Sequence, residues 1–232
     1  NPKRARDFVL IPDQDVLKKR PSTIAKAILR GKSKVARDFD REFRPILMTS
    51  TTGRSTEPVP FLYTAHDVRN LEMAGVRLME ICNSQRDFKH MNLFPFAPHL
   101  AFWQAHYAGT GFTVINLSSG GGKVMGTAGN VRLLQKIEPD ALSGMPTFIY
   151  HLLQEAVTQV LHWKNLQRIV LGGEKVPDGM KRKLRGLAAE LGSGRVDVMA
   201  TYGFTEAKMA WPECPVTPGE PSTGYHIYPD LG

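Results

Sequence analysis

The sequence is poor in cysteine and lacks long apolar runs. It has two cysteines, Cys82 and Cys214, in 232 residues, which excludes a disulfide-rich scaffold and a four-cysteine zinc site and favours a reducing compartment. No stretch reaches the ~18 consecutive apolar residues of a membrane span, and the basic start NPKRARDF lacks the apolar run of a secretory signal. We therefore expect a cytoplasmic protein with no membrane partner.

The sequence also lacks the common glycine-rich nucleotide loops. Gly31-Lys32-Ser33 and Gly122-Lys123 resemble the end of a P-loop, but the required first glycine falls on Lys26 and Leu117. No G-x-G-x-x-G follows a first strand. These absences exclude a P-loop NTPase, and no sequence motif supports a nicotinamide-dinucleotide site.

Positive charge is concentrated at the start of the chain. Residues 1–44 contain thirteen Lys and Arg against six Asp and Glu, whereas residues 45–232 contain seventeen against sixteen. A basic segment can bind nucleic acid, but this one has few aromatic residues and no zinc-finger or RNP-like pattern. A solvated, partly helical lead-in is favoured over a nucleic-acid partner.

From Pro45 onward, short β-rich runs alternate with longer helical patterns. This alternation predicts an α/β fold with a mainly parallel sheet flanked by helices. The predicted strands are Ile46–Thr49, Met91–Phe94, Phe112–Leu117, Ala141–Leu142, Arg168–Leu171 and Val196–Thr201. The predicted helices are Ala65–Cys82, His99–Ala108, Gly126–Ile137, Pro146–Leu161 and Pro177–Leu191. Thr64 and Asp67 form a predicted capping box before the first of these helices.

We divide the chain into three parts. Residues 1–44 are the lead-in, residues 45–210 the α/β core, and residues 211–232 the proline-rich start of a further subdomain. The prolines of the last part are too frequent for a core helix or strand.

A hydroxyl-rich loop, Thr49–Thr56, follows the apolar run Ile46–Met48. Its side chains and backbone amides supply O–H and N–H donors, and Arg54 supplies a permanent cation. This combination suits a polyphosphate, although Ser/Thr/Gly runs are also common in plain turns.

Further short motifs follow this loop along the chain. They are His106-Tyr107, Pro146–Tyr150, Gly172–Glu174, Thr201–Glu206, Glu213-Cys214 and Gly224–Ile227. In order and spacing, the set resembles the adenylate-forming ligases, and within them the phenylacetate–coenzyme A ligase-like branch. The loop is matched to that branch's S-S-G-T-T-G-K-P-T pattern, with Ser50 in place of the first glycine, Arg54 in place of lysine and Ser55 in place of proline. The resemblance covers about residues 45–232.

The resemblance implies an enzyme that uses ATP and Mg²⁺ to activate an aryl or acyl carboxylic acid as an acyl-adenylate. The acyl group then passes to a thiol, with coenzyme A as the expected acceptor. The implied catalytic residues are Arg54, Thr205 and Glu206, and Glu206 is also the implied Mg²⁺ ligand. The implied nucleotide-binding residues are Thr49, Ser50, Thr51, Thr52, Gly53, Thr56, Gly172, Gly173, Glu174, Thr201, Tyr202 and Gly203. The aromatic face of Tyr202 suits stacking on adenine.

The aromatic segment Phe94–Trp103 is the expected wall of the acid-binding pocket. The pocket residues that we predict are His99, Trp103, His106 and Phe204. Dense aromatic residues more often form ordinary core, and none of these is assigned as a general base.

Several alternatives stay open. The acceptor could be a protein thiol, as in an acyl-protein synthetase-like enzyme. The chain could instead be a non-catalytic nucleotide-binding or nucleic-acid-binding module that uses the basic segment. A homodimer is also open.

The resemblance implies parts beyond Gly232: an aspartate for the ribose hydroxyls, a hinge, and a C-terminal lid domain with a catalytic lysine. We expect the chain to be a truncated large N-terminal domain that is impaired or inactive alone.

Two clusters have simpler interpretations than ligand binding. Cys214 and His226 could contribute to a zinc site, but a buried thiol and a hydrogen-bonded histidine are favoured. A basic group in the last predicted helix is interpreted as a solvated face, with a phosphate-bearing cofactor as the alternative. Its members are Lys181, Arg182, Lys183 and Arg185.

Overall fold

The computed structural model describes residues 19–51, 57–215 and 224–231. The chain divides into two compact units, Asn1–Asn70 and Leu71–Gly232. Within the described ranges, no helix is both long and apolar enough to cross a membrane.

The described part of the smaller unit contains two helices and a β-hairpin that precede Thr64. Helices α1 (Pro21–Arg30) and α2 (Lys32–Phe43) are joined at Gly31, whose φ of 85° suits a residue without a Cβ. Strands β1 (Leu47–Ser50) and β2 (Pro60–Tyr63) pair antiparallel. The first strand lies one residue later than predicted, and β2 was not predicted.

Helix α3 (Ala65–Ile81) begins at the predicted capping box. The Thr64 amide donates to Asp67 Oδ2 over 2.8 Å, and the Asp67 amide donates to Thr64 Oγ1 over 3.3 Å. Both bonds satisfy amides that the first helical turn would leave without partners.

The larger unit is built on a six-stranded sheet among the described residues. The strands are β3 (Lys89–Asn92), β4 (Ile115–Ser118), β5 (Ala141–Gly144), β6 (Arg168–Leu171), β7 (Asp197–Phe204) and β8 (Met209–Pro212). Their order in the sheet is β4-β3-β5-β6-β7-β8, and all neighbouring pairs are parallel except β7 and β8. The intervening helices are α4 (Leu100–Gly111), α5 (Gly122–Ile137), α6 (Pro146–Thr158) and α7 (Asp178–Glu190). The predicted α/β class with a mainly parallel sheet flanked by helices is confirmed.

Two predicted boundaries were wrong because the chain turns where the apolar pattern continues. Phe112 caps α4 rather than beginning β4, and Thr113 follows in the left-handed region at a φ of 61°. Helix α6 ends at Thr158, before Val160 at a φ of 55°.

Two further differences come from pairing and from a break in a helix. Strand β7 extends to Phe204 because β8, which was not predicted, pairs with its second half. Helix α5 begins at Gly122, four residues before the predicted start, and Gly126 interrupts its helical geometry.

The main core lies between this sheet and helices α5, α6 and α7. Leu142, Ile149 and Leu184 belong to it and are fully buried. Trp163 is also fully buried, and its indole N–H donates to the Pro139 carbonyl over 3.0 Å. Such burial stabilises the strands whose carboxyl ends carry the predicted motifs.

Candidate functional site

Three predicted motifs follow adjacent strands at one edge of the sheet. In the parallel register, Gly144 of β5 pairs with Leu171 of β6, and Leu171 pairs with Ala200 of β7. The residues after these strand positions therefore lie at the same carboxyl edge, where ligands of open α/β sheets usually bind.

The Gly172–Glu174 turn packs directly against Thr201. The Thr201 hydroxyl donates to the Leu171 carbonyl over 2.9 Å. A Cβ added to Gly172 would lie 2.6 Å from Thr201 Oγ1, and Gly173 has a φ of 81°. The close approach of Thr201 therefore favours glycine at position 172, and the positive φ of the turn favours it at position 173.

Glu174 fixes the same turn to the start of α6. Its Oε2 accepts hydrogen bonds from the Thr147 amide over 3.1 Å and from the Thr147 hydroxyl over 2.6 Å. A carboxylate at a helix N-terminus satisfies an unpaired amide and interacts favourably with the helix dipole. The structure thus brings the predicted Pro146–Tyr150 and Gly172–Glu174 motifs together.

The second half of β7 and β8 form a hairpin that carries the Thr201–Glu206 motif. Tyr202 pairs with Trp211, and Gly203 pairs with Ala210. A Cβ on Gly203 would lie 2.8 Å from that of Ala210, so the hairpin requires glycine there. A 3₁₀ turn, Thr205–Ala207, connects the strands.

Tyr202 lies in a partly exposed aromatic group on this hairpin. Its ring is stacked on Trp211 at a centroid distance of 6.3 Å and contacts Phe204 at 5.9 Å and Tyr225 at 5.6 Å. Tyr202 is 54% exposed and Phe204 44%. The group therefore presents aromatic surface on which a planar ring could stack.

Thr205 and Glu206 lie on the 3₁₀ turn, where Thr205 is half-buried and Glu206 is exposed. Among the described residues, no group of three or more His, Cys, Asp or Glu side chains could hold a metal ion. A single exposed carboxylate still fits Mg²⁺, which is commonly held by one or two carboxylates together with substrate phosphates.

The four predicted pocket residues fall into separate contact groups. Trp103 and His106 lie on α4 with ring centroids 6.1 Å apart, and His106 is also stacked on Phe102. Phe204 contacts Tyr202 and Trp211 instead. His99 is half-buried directly before α4.

A buried glutamine that no sequence motif indicated connects α4 to the hairpin of β7 and β8. Gln104 Oε1 accepts a hydrogen bond from the Ala210 amide over 2.9 Å, and its Nε2 donates to the Leu71 carbonyl over 3.2 Å. The Gln104–Ala210 bond therefore fixes α4 against the hairpin that carries the Thr201–Glu206 motif.

The predicted phosphate loop is described only at its start. Thr49 is buried and its hydroxyl donates to Tyr63 Oη over 3.3 Å, whereas Ser50 and Thr51 are half-buried. Burial raises the pKa of Tyr63 to about 12. Thr52, Gly53, Arg54, Ser55 and Thr56 lie outside the described residues, and the role of this loop in nucleotide binding stays a prediction.

The interpretation of Lys181 as solvated was wrong. It is 7% exposed, and its Nζ donates to both carboxylate oxygens of Glu213 over 2.6 Å. Arg182, Lys183 and Arg185 are exposed as predicted. The sequence did carry a signal of this burial, since Lys181 falls on the same face of the amphipathic helix as Leu184 and Ala188.

The expected burial of the Cys214 thiol was also wrong. Cys214 is half-buried rather than buried, and the His226 side chain is exposed. Their described hydrogen bonds are made by the backbone: the Cys214 amide donates to Gly224 O and the His226 amide to Pro212 O.

Neither a family model nor a curated protein matches the sequence. Solved structures do match. One is 2-hydroxyisobutyryl-CoA ligase in complex with 2-HIB-AMP and CoA, with a TM-score of 0.62 and 20% identity, covering 70% of this chain and 34% of the ligase. A long-chain-fatty-acid-CoA ligase from Archaeoglobus fulgidus matches with a TM-score of 0.55 and 20% identity, and the match covers 72% of this chain and 32% of the ligase. The NpsA N-terminal subdomain from Klebsiella oxytoca matches with a TM-score of 0.54 and 14% identity, and the match covers 72% of this chain and 39% of that subdomain.

The chain has the fold of the N-terminal domain of adenylate-forming enzymes. The chain matches about a third of the length of the two CoA ligases, 34% and 32%. In this fold, the carboxyl edge described above is formed by the Pro146–Tyr150, Gly172–Glu174 and Thr201–Glu206 segments. The expected fold is thus confirmed, whereas the phenylacetate–coenzyme A ligase-like branch stays a prediction.

Proposed function

We propose that the chain belongs to an enzyme that activates a carboxylic acid with ATP and transfers the acyl group to a thiol. The observation that carries this proposal is the junction of the Gly172–Glu174 turn with Thr201 at the carboxyl edge of the sheet. These two motifs are among those that the sequence shares with adenylate-forming ligases, and the fold is that of their N-terminal domain.

In the proposed reaction, a carboxylate oxygen of the acid bonds to the α-phosphorus of ATP, and the bond to the β-phosphate oxygen breaks. Pyrophosphate leaves with that electron pair, and a thiolate then attacks the acyl carbon and releases AMP. The protein contributes positioning and charge neutralisation.

We assign the adenine to the aromatic face of Tyr202 beside the Gly172–Glu174 turn, and the α-phosphate to Thr205. Glu206 would hold Mg²⁺, which would supply positive charge beside the phosphates. Arg54 and its neighbouring hydroxyl residues are assigned to the outgoing phosphates.

The aromatic residues around Trp103 and His106 support an aryl or other apolar acid as substrate. This favours the phenylacetate–coenzyme A ligase-like branch. We propose coenzyme A as the acceptor because two structures with this fold are CoA ligases. A protein thiol is the alternative acceptor.

The proposal is tested first by binding, with Mg²⁺-ATP titrated calorimetrically into the chain and into Glu206→Gln. We expect the variant to lose most of its Mg²⁺-dependent affinity and to keep its unfolding midpoint, because an amide is a poor ligand for this cation. Glu190→Gln, which neutralises an exposed carboxylate at the end of α7, is the matched control. Equal affinities of Glu206→Gln and Glu190→Gln would remove Glu206 from the metal site.

Pyrophosphate release by the full-length gene product, measured across aryl, aliphatic and amino acids, then tests the chemistry. Acid-dependent release supports the ligase. Binding of duplex DNA or RNA that weakens steeply with salt, without Mg²⁺-ATP binding, would support the non-catalytic nucleic-acid module instead.

A further inference from the structure

A buried ion pair lies beside the hairpin that carries the Thr201–Glu206 motif. Lys181 of α7 and Glu213, directly after β8, are 7% and 6% exposed. The Lys181 ammonium lies 2.6 Å from each Glu213 carboxylate oxygen. A charge that is this strongly buried is tolerated when it is paired and hydrogen-bonded.

The Glu213 carboxylate also accepts a hydrogen bond from the backbone of β7. The Ala200 amide donates to Glu213 Oε2 over 3.0 Å, and the Glu213 amide donates to the Ala200 carbonyl over 2.8 Å. Ala200 is the last residue of β7 that pairs with β6. The ion pair therefore fixes the base of the hairpin, one residue before Thr201.

The same segment reaches the aromatic group. Glu213 forms an isolated β-bridge with Tyr225, whose ring lies 5.6 Å from that of Tyr202. The position of Glu213 thus affects both the strand that carries Tyr202 and one of the rings beside it.

Stability alone is a weak explanation for such a pair. The free-energy cost of removing two charges from water offsets much of their mutual attraction. Replacing both partners by apolar residues is therefore often neutral or stabilising. The directional bonds of Glu213 to Lys181 and Ala200 instead specify one orientation of the hairpin base.

We infer that Lys181 and Glu213 are positioning residues that hold the Tyr202–Glu206 hairpin in its nucleotide-binding orientation. The inference about orientation rests on the geometry, and its consequence for ATP rests on the proposed function. Neither residue is assigned a contact with ATP.

The test compares Lys181→Met with the double variant Lys181→Met/Glu213→Leu, with Lys183→Met as the control. Lys183 is an exposed lysine of the same helix. Three quantities are measured on the 232-residue chain: the urea midpoint, amide hydrogen exchange of residues 197–213, and Mg²⁺-ATP affinity.

We expect Lys181→Met to lower the urea midpoint, since it leaves the Glu213 charge buried without its partner, and the double variant to regain that midpoint. Despite this recovery, the double variant should exchange the hairpin amides about tenfold faster and bind Mg²⁺-ATP about tenfold more weakly. Lys183→Met should match the wild type in all three quantities.

A double variant with wild-type exchange and wild-type affinity would show that the pair is only structural and would overturn the inference. Faster exchange with unchanged Mg²⁺-ATP affinity would also overturn it. If the wild-type chain binds no Mg²⁺-ATP, the proposed function fails, and exchange alone decides whether the pair orients the hairpin.

Discussion

Acidification should destabilise the larger unit through one buried histidine. His90 lies on β3, and its Nδ1 is 3.0 Å from Asn116 Oδ1 while its Nε2 is 3.1 Å from Ser143 Oγ. Because Asn116 Nδ2 donates to the His106 carbonyl, the Asn116 oxygen is the acceptor. His90 therefore carries its proton on Nδ1 and accepts from Ser143 at Nε2.

Burial lowers the pKa of His90 from 6.5 to about 4, and the hydrogen bond that its Nδ1 donates to Asn116 offsets this only in part. The unfolded chain thus binds a proton near pH 6.5, whereas the folded chain binds it only near pH 4. Between these values, the free energy of unfolding decreases as the pH falls. At 1.36 kcal/mol per pKa unit, this group contributes about 2 kcal/mol of loss between pH 7 and pH 5.

Urea unfolding measured by tryptophan fluorescence at pH 7 and pH 5 gives this difference. Trp103, Trp163 and Trp211 all belong to the larger unit, so the signal reports that unit. The variant His90→Asn should be less stable at pH 7 but lose about 2 kcal/mol less on acidification than the wild type. His151→Asn, which removes an exposed histidine of α6, is the control and should lose as much as the wild type.

Equal pH-dependent losses in His90→Asn and the wild type would refute this reasoning. They would show that His90 is protonated in the folded chain or that the Asn116–His90–Ser143 network opens at little cost.

Two further predictions concern the phosphate loop and helix packing. Arg54→Ala should weaken ATP about tenfold or more while leaving AMP nearly unchanged, since a charge-assisted bond to the outgoing phosphates is lost; equal losses in calorimetric titrations would show that the loop is misassigned. Gly75→Ala should lower the free energy of unfolding by about 1–3 kcal/mol, because its Cβ would lie 2.6 Å from Ala108 Cα. Gly186→Ala, a helical position with nothing within 4 Å of the added Cβ, should instead raise it by about 0.5–1 kcal/mol in the same urea assay; equal effects of the two substitutions would contradict the packing.

The sequence predicted those parts of the fold that depend on local periodicity. The strand Arg168–Leu171 was predicted with its observed bounds because a short apolar run between polar segments is typical of a strand buried on both faces. The capping box of Thr64 and Asp67 was also visible, since its two residues lie three positions apart.

The missed features depend on contacts between distant residues. Met209–Pro212 is a strand because it pairs with β7, and its short local pattern gave no reason to expect this. The Lys181–Glu213 pair and the Asn116–His90–Ser143 network join residues that only the sheet topology brings together. Lysine and histidine are usually exposed or half-exposed, so composition favoured the wrong environment for Lys181.

Several side chains of the predicted motifs form hydrogen bonds within the fold. Thr201 binds the Leu171 carbonyl, Glu174 binds Thr147, and Glu213 binds Ala200 and Lys181. These side chains build the strand ends, so their presence in a sequence is evidence for the architecture of this edge before it is evidence for chemistry.

The residues that can separate a ligase from a non-catalytic relative are those that the edge presents to solvent. Tyr202 is 54% exposed and Glu206 is exposed, whereas the side chains that hold them are partly or fully buried. A binding module that only needs the fold would tolerate substitution of Glu206 but not of Glu213. An enzyme that needs Mg²⁺ at the phosphates would tolerate neither, and for different reasons: loss of Glu206 removes a ligand, whereas loss of Glu213 moves the hairpin that presents it.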